Sequence, residues 1–241
     1  MPDRNNTELT EGGGSTVAVL TAAGSGMRLG ADGPKALVEL AGQSLLRRAA
    51  RGLLASGVID HITVTAPVAE VDRFTAEVSD LAGPGRIAVV AGSPASRQAS
   101  VALGLAAALD SRPDAEVILV HDAVVPGLPV TDTIKEVALE GDGRVAGASP
   151  VERVVGTPQR DRLRAVQTPQ GFARPTLEAA HARGAADAVD EAHSARDDAA
   201  LVEAMGGRVV VVPGDPLALK VTTPLDLALA ETLARREPAA P

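Results

Sequence analysis

A chain of 241 residues can form one large or two small domains with a substantial core. Its hydrophobic share of 45% comes mostly from Ala, Val and Leu, with two Phe and no Trp or Tyr, so aromatic platforms for stacking nucleobases are nearly absent. The net charge of −8 disfavours nucleic acid and anionic membranes, the lack of Cys excludes thiolate chemistry and disulfides, and no apolar run is long enough to span a bilayer.

Residues 1–15 are polar and end in Gly12-Gly13-Gly14-Ser15, which predicts a disordered tail. A single domain is expected over 16–236, with a flexible C-terminus at 237–241. Val17 to Leu20 reads as a buried strand. It breaks into Thr21-Ala-Ala-Gly-Ser-Gly-Met-Arg-Leu-Gly30, where glycines let the backbone approach a ligand without Cβ interference. Arg28 and Lys35 add two cations to the same loop, and amides with fixed positive charge suit a polyphosphate. The spacing matches neither standard phosphate motif. Leu29 occupies the third glycine position of the dinucleotide fingerprint, and no Gly-Lys-Ser/Thr completes a P-loop. The plainer alternative is a glycine turn with surface cations.

Ser44 caps a predicted helix whose Leu45, Leu46, Ala49, Ala50, Leu53 and Leu54 form one stripe, and Gly57 ends it. Strands are expected at 61–66 and 86–91, with a helix at 68–81 between them. A helix at 95–109 and a strand at 116–120, ending at His121-Asp122, follow. Four prolines between Pro150 and Pro175 then interrupt the alternation. The acidic run Asp187, Asp190, Glu191, Asp197, Asp198, with His193, reads as a solvated loop in which Asp197 or Asp198 caps the next helix. Strands at 208–212 and 218–222 precede a helix opened by Thr223-Pro224. This order predicts an α/β, Rossmann-like, mostly parallel sheet with helices on both faces. Ligands of such sheets sit at the carboxyl ends of strands, where the strand order reverses. Three polar features fall at strand ends: the glycine loop, residues 92–100, and His121-Asp122.

Seven blocks together resemble the methylerythritol-phosphate cytidylyltransferase family of the nucleotide-diphospho-sugar transferase superfamily. They are Ala22-Ala-Gly-Ser-Gly-Met-Arg-Leu-Gly30, Pro34-Lys35-Ala36, Val89-Val-Ala-Gly92 with Arg97 and Ser100, Val120-His-Asp-Ala123, Val166-Gln-Thr-Pro-Gln-Gly-Phe172, Asp197-Asp-Ala199, and Gly214-Asp-Pro-Leu-Ala-Leu-Lys-Val-Thr-Thr-Pro-Leu-Asp226. The blocks come in the family's order from about residue 17 onward. The resemblance implies transfer of a cytidylyl group from CTP to a sugar-alcohol phosphate, with pyrophosphate leaving and Mg²⁺ required.

It also implies the roles of residues. Arg28 and Lys35 would hold the triphosphate, with the amides of Ala22, Ala23, Gly24, Ser25 and Gly26 around it, and Lys220 would face the α-phosphate. Gly92, Ser93, Ser100 and Ala123 would receive the nucleoside, with Arg97 orienting their loop. Arg160 and Thr222 would meet the acceptor. Asp122 would bind Mg²⁺ with Asp215 as a second candidate, although a helix cap and a turn residue are the ordinary uses of such aspartates. The partners implied are CTP, a small polyol phosphate and a second copy of the chain, in the cytoplasm, without nucleic acid or membrane.

Two departures stand out. Val125 occupies the place of the family's substrate-binding arginine, three residues after Asp122. Asp132-Thr-Ile-Lys135 resembles the start of the family's dimer arm, but that threading deletes the helix after the His-Asp strand, and a parallel crossover needs about a dozen residues or more. The expectation is therefore a helix at 132–140, a strand at 144–149, and an arm after Pro150 shortened by one hairpin. Val125 leaves open a cytidylyltransferase for another polyol phosphate, such as ribitol 5-phosphate. From a different class, a non-catalytic nucleotide-binding paralogue is the alternative. A molybdopterin guanylyltransferase is disfavoured, since its first loop carries a Gly-Gly pair and Met-Gly-x-Asp-Lys.

Overall fold

The computed structural model describes residues 14–24, 33–120, 125–139 and 152–235. The expected tail up to Gly13, the strand at 144–149 and the C-terminus at 237–241 lie outside the described residues. Strand β1 (Ser15–Thr21) takes in the predicted Val17–Leu20 run. A two-residue hairpin, β2 (Glu39–Leu40) and β3 (Gln43–Ser44), leads into α1 (Leu45–Ala55). Ser44 caps α1 by accepting from the Arg47 N–H, a contact worth about 1 kcal/mol. Then come β4 (His61–Ala66), α2 (Val71–Val78), β5 (Ile87–Ala91), α3 (Arg97–Ser111) and β6 (Ala115–Val120).

The β1 strand divides its side chains between two layers, as the period of two requires. Ala18 and Leu20 join Ile62 and Val64 against Leu46, Ala50 and Leu53 of α1 and Phe74 and Val78 of α2. Val17 and Val19 face the other way, with Ile118 and Val120, onto Val101, Leu105 and Ala108 of α3. Helix α3 lies close against the sheet because residue 104 is glycine. A Cβ there would sit 2.6 Å from Val19 and 2.7 Å from Thr65. Truncating Phe74, which is fully buried, to Ala would cost about 3–5 kcal/mol.

After β6 the structure departs from expectation. Strand β7 (Val125–Pro129) follows, then β8 (Glu136–Leu139), which pairs antiparallel with β9 (Glu152–Gly156). The helix predicted at 132–140 is therefore not formed. The crossover argument fails because β7 does not return to the main sheet. It joins a second sheet, antiparallel to β10 (Arg164–Val166). The main sheet instead gains β11 (Gln170–Ala173), antiparallel to β6, giving the order β11-β6-β1-β4-β5. An antiparallel neighbour needs no helical crossover. Asp132-Thr-Ile-Lys135 consequently stands just ahead of a hairpin that begins before Pro150, so the shortened-arm reading is corrected as well.

Helices α4 (Arg174–Arg183) and α5 (Asp198–Ala204) follow, with Leu177 of α4 in the α3-side core. The parallel strands β1, β4, β5 and β6 carry helices on both faces, as predicted. Strand β12 (Val211–Pro213), shorter than its predicted span, pairs parallel with β7. Residues 218–222 do not form the expected strand; Val221 is buried beside Leu40 while the backbone joins no ladder. Helix α6 (Pro224–Ala234) starts with a full capping box between Thr223 and Asp226. Among the described residues no helix is long and apolar enough to cross a membrane.

Candidate active site

The strand order reverses at β1, which has β4 on one side and β6 on the other. At its carboxyl end the Ala22 N–H donates to the Thr65 carbonyl at 2.9 Å, and the Gly92 N–H donates to the Ala66 carbonyl at 2.8 Å. Residues 22–24 and the segment after β5 therefore leave the sheet close together. Glycine is required at 92: a Cβ there would lie 2.7 Å from Ala23 Cβ and 3.2 Å from Ser100 Oγ. Ala22 is buried, Ala23 half-buried and Gly24 exposed. Ser25, Gly26 and Arg28 lie outside the described residues.

Residues 92–100 close on themselves through Ser100. Its hydroxyl accepts from the Ser93 N–H at 3.0 Å and faces the Ser93 and Ser96 carbonyls at 3.0 and 3.2 Å. Ser93 in turn accepts from the Ala95 N–H at 3.1 Å. Ser96 caps α3, accepting from the Ala99 N–H. A second segment, far away in sequence, clamps the same loop. The Ser96 hydroxyl donates to the Ala188 carbonyl at 2.8 Å, and the Arg97 N–H to Glu191 at 3.0 Å. The Gln98 amide spans Gly184 and Ala195 at 2.7 and 2.9 Å.

The anchor of this clamp is Asp198, whose side chain is wholly buried. One oxygen receives Arg97 Nη2 at 2.8 Å and the other His181 Nε2 at 2.7 Å. Burial alone would push the carboxyl up. The hydrogen bond from His181 and the charge of Arg97 outweigh it and hold the group below the ordinary carboxylate range. Removing one partner from such a buried pair costs about 3–5 kcal/mol, because the other charge is stranded. Reading the acidic run as a solvated loop is thus corrected at Asp198, while Asp197 does cap α5 by accepting from the Ala200 N–H at 2.9 Å. Asp190 and His193 keep the solvent-facing character expected of them.

Lys35 and Lys220, the two described lysines expected to meet phosphate, stand on segments that share a small core. Lys35 opens a 3-10 turn, half-buried, and Val38 and Leu40 just after it join Leu219 and Val221, which flank the exposed Lys220. Asp226 fixes the far end of the second segment. It accepts from the Thr222 N–H and hydroxyl at 2.8 and 2.7 Å and from the Thr223 N–H at 2.7 Å. Those bonds, the Thr222 hydroxyl first, lower its carboxyl to about 2.

Arg160 is exposed and donates to the Thr131 carbonyl at 2.9 Å, next to Asp132 at the base of the hairpin. Asp215 behaves as a turn residue, since its carboxylate accepts from the Leu217 N–H at 2.8 Å. Gln167 holds that turn, donating to the Asp215 and Ala218 carbonyls at 2.6 and 3.1 Å and accepting from the Asp215 N–H at 3.0 Å. Two blocks of the resemblance, Val166-Gln-Thr-Pro and Gly214-Asp-Pro, are therefore one structural unit. His121, Asp122 and Ala123 lie outside the described residues. Among those described, no three His, Asp or Glu side chains gather as a metal set.

The sequence profile of 2-C-methyl-D-erythritol 4-phosphate cytidylyltransferase matches residues 16–236. A protein of that name from Saccharopolyspora erythraea is 47% identical, over 91% of this chain and 99% of its own length. Another from Nocardia farcinica is 45% identical over 94% and 96%. In three dimensions the chain is similar to 4-diphosphocytidyl-2C-methyl-D-erythritol synthase from Anaerococcus prevotii, with a TM-score of 0.72, 25% identity and coverage of 92% and 99%. The Thermus thermophilus cytidylyltransferase superposes with a TM-score of 0.62 at 32% identity, over 91% and 99%. Matched by that profile from residue 16 to 236, and with relatives of that name at 47% and 45% identity, the chain belongs to the 2-C-methyl-D-erythritol 4-phosphate cytidylyltransferase family.

Proposed function

We propose that this chain transfers the cytidylyl group of CTP to 2-C-methyl-D-erythritol 4-phosphate and releases pyrophosphate. The observation that carries this reading is the contact of Ala23 with Gly92, which joins a phosphate-type loop to a base-type loop in a chain matched to the family from residue 16 to 236. The nucleophile is the acceptor's phosphate monoester, mostly dianionic near neutral pH because its second pKa is about 6. Its oxygen attacks the α-phosphorus, the bond to the bridging oxygen breaks, and pyrophosphate leaves with the electron pair. No general base is needed. The barrier is the approach of two anions, so positioning and charge neutralisation carry the catalysis.

In this reading Arg28, Lys35 and the amides of residues 22–26 hold the triphosphate, and Lys220 faces the α-phosphate. Gly92, Ser93, Ser100 and Ala123 take the nucleoside, while Arg160 and Thr222 act on the acceptor side. Mg²⁺ belongs to the reading through Asp122 alone, and no step above is routed through it. A homodimer belongs to it too, supported by the exposed valines of the β8–β9 hairpin. The cytoplasm is its place of action, since both substrates are anions that membranes exclude. Val125 supports a second reading, in which a different polyol phosphate such as ribitol 5-phosphate is preferred.

Pyrophosphate release from CTP, with Mg²⁺, measured against a panel of polyol phosphates tests both. Fastest turnover with methylerythritol phosphate is expected. Preference for ribitol 5-phosphate would move the assignment to the second reading. Clear CTP binding without turnover on any acceptor would leave a non-catalytic paralogue.

A further inference from the structure

We infer that Asp198 is a positioning residue for cytosine recognition, acting through Arg97 on the base loop rather than on the substrate itself. The inference rests on CTP being the nucleotide used.

Four observations converge on it. Asp198 is a carboxylate with no exposed side-chain surface, an expensive choice that must be compensated. Its two oxygens face two different elements: Arg97, the first residue of α3, and His181 of α4. Arg97 lies between Ser93 and Ser100, the residues whose mutual hydrogen bonds close the base loop. The remaining contacts, from Ser96, the Arg97 amide and Gln98 to residues 184–195, fasten the same few residues to the same segment. The loop is thus held from behind, at Arg97, by a group that does not reach the sheet crevice.

Such a backing matters for this base in particular. With two Phe and no Trp or Tyr in the whole chain, cytosine must be read by hydrogen bonds from loop backbone and short side chains. Hydrogen bonds weaken steeply with misalignment, so selectivity depends on where the loop backbone stands to within tenths of an ångström. A support that sets the loop should therefore move nucleotide affinity and base preference, and leave the chemical step largely alone. Charged groups facing this cluster include Arg97 on α3, His181 on α4, the adjacent Asp197, and Glu191 bonded to the Arg97 amide from the intervening loop.

The test compares Asp198→Asn and Arg97→Gln with wild type, using CTP and UTP both as substrates and as ligands in calorimetry. Each variant should raise the KM for CTP roughly tenfold, leave kcat within about threefold, and narrow the preference for CTP over UTP. The two effects should be less than additive when the substitutions are combined. Phe74→Leu, in the opposite layer, serves as control: it should lower the melting temperature with no change in base preference. Arg97 is partly solvent-accessible, so Arg97→Gln decides the matter if Asp198→Asn does not fold. Unchanged CTP and UTP affinities in Arg97→Gln would overturn the inference, as would a fall in kcat at constant KM. Calorimetry separates this from the assignment of the acceptor: a wild type that binds CTP but turns nothing over defeats the proposed reaction and leaves the loop test intact. A wild type that binds neither nucleotide defeats both.

Discussion

In β1 the side chains of Val17, Ala18 and Val19 are wholly buried, divided between two layers of helices; in the β8–β9 hairpin Val137, Val154 and Val155 remain between 43% and 51% exposed. The same residue type thus does different work in the two regions. In the first it is enclosed by elements of its own chain. In the second, the backbone is paired but the side chains still face solvent. The site divides along the same line. In the proposed reading the nucleotide side rests on the sheet and α3, whereas the acceptor side draws on Arg160 beside the hairpin.

The sharpest way to break this division is at the two lysines proposed to hold the phosphates. Lys35→Ala and Lys220→Ala should each lower turnover by about 10²–10³, the usual loss when one electrostatic contact to a transition state is removed. Neither side chain belongs to the buried core, so melting temperatures should stay within a few degrees. Near-normal kcat in either variant would remove that lysine from the phosphates.

The hairpin comes next. Val154→Lys places a charge where an apolar face meets its partner in the proposed homodimer. Sedimentation should show the dimer dissociation constant rising about tenfold or more, with the monomer's melting temperature little changed. A dimer as tight as wild type would place the interface elsewhere and make the hairpin's exposure an ordinary surface property.

Gly92→Ala probes the contact between the two loops. The new Cβ has 2.7 Å to Ala23, well inside van der Waals distance, and both neighbours are backbone-anchored. Separating the loops should raise the KM for CTP about tenfold and cost about 1–3 kcal/mol of stability. Unaltered CTP affinity would mean that the loops need not touch for binding.

What the sequence made legible follows the same partition. Strands β1, β4, β5 and β6 announce themselves by short apolar runs bounded by turn residues, and Ser44, Asp197 and Thr223 declare their helices by capping chemistry within four residues. Long-range facts were hidden. Asp198 sits in an acidic run that looks solvated, and its partner Arg97 is 101 residues away. The alternation at 218–222 is real, but a strand also needs an edge to pair with, and here Leu219 and Val221 reach a small core without one. The helix expected at 132–140 came from assuming that the chain stays in one sheet, which no local pattern could test. Arg28 and Asp122, singled out from the sequence, fall outside the described residues.

The smallest expected effect concerns the acceptor. Val125 opens β7, paired along the backbone with Val211 of β12, so its position is fixed by a ladder even though its role is not. A valine cannot offer the bidentate, charge-assisted bonds that an arginine gives a phosphate. If that loss is what weakens the acceptor side, Val125→Arg should raise kcat/KM for methylerythritol phosphate about three- to tenfold through KM, leaving CTP affinity unchanged. The nucleotide side provides the internal control, because a change in both substrates would signal a disturbed β7–β12 ladder rather than a gained contact. No gain, in a wild type that already uses methylerythritol phosphate efficiently, would mean that another cation carries the acceptor phosphate. Arg160, held against the Thr131 carbonyl beside the hairpin, is then the first to replace. Loss of acceptor use in Arg160→Ala, with CTP binding intact, would transfer the assignment to that residue.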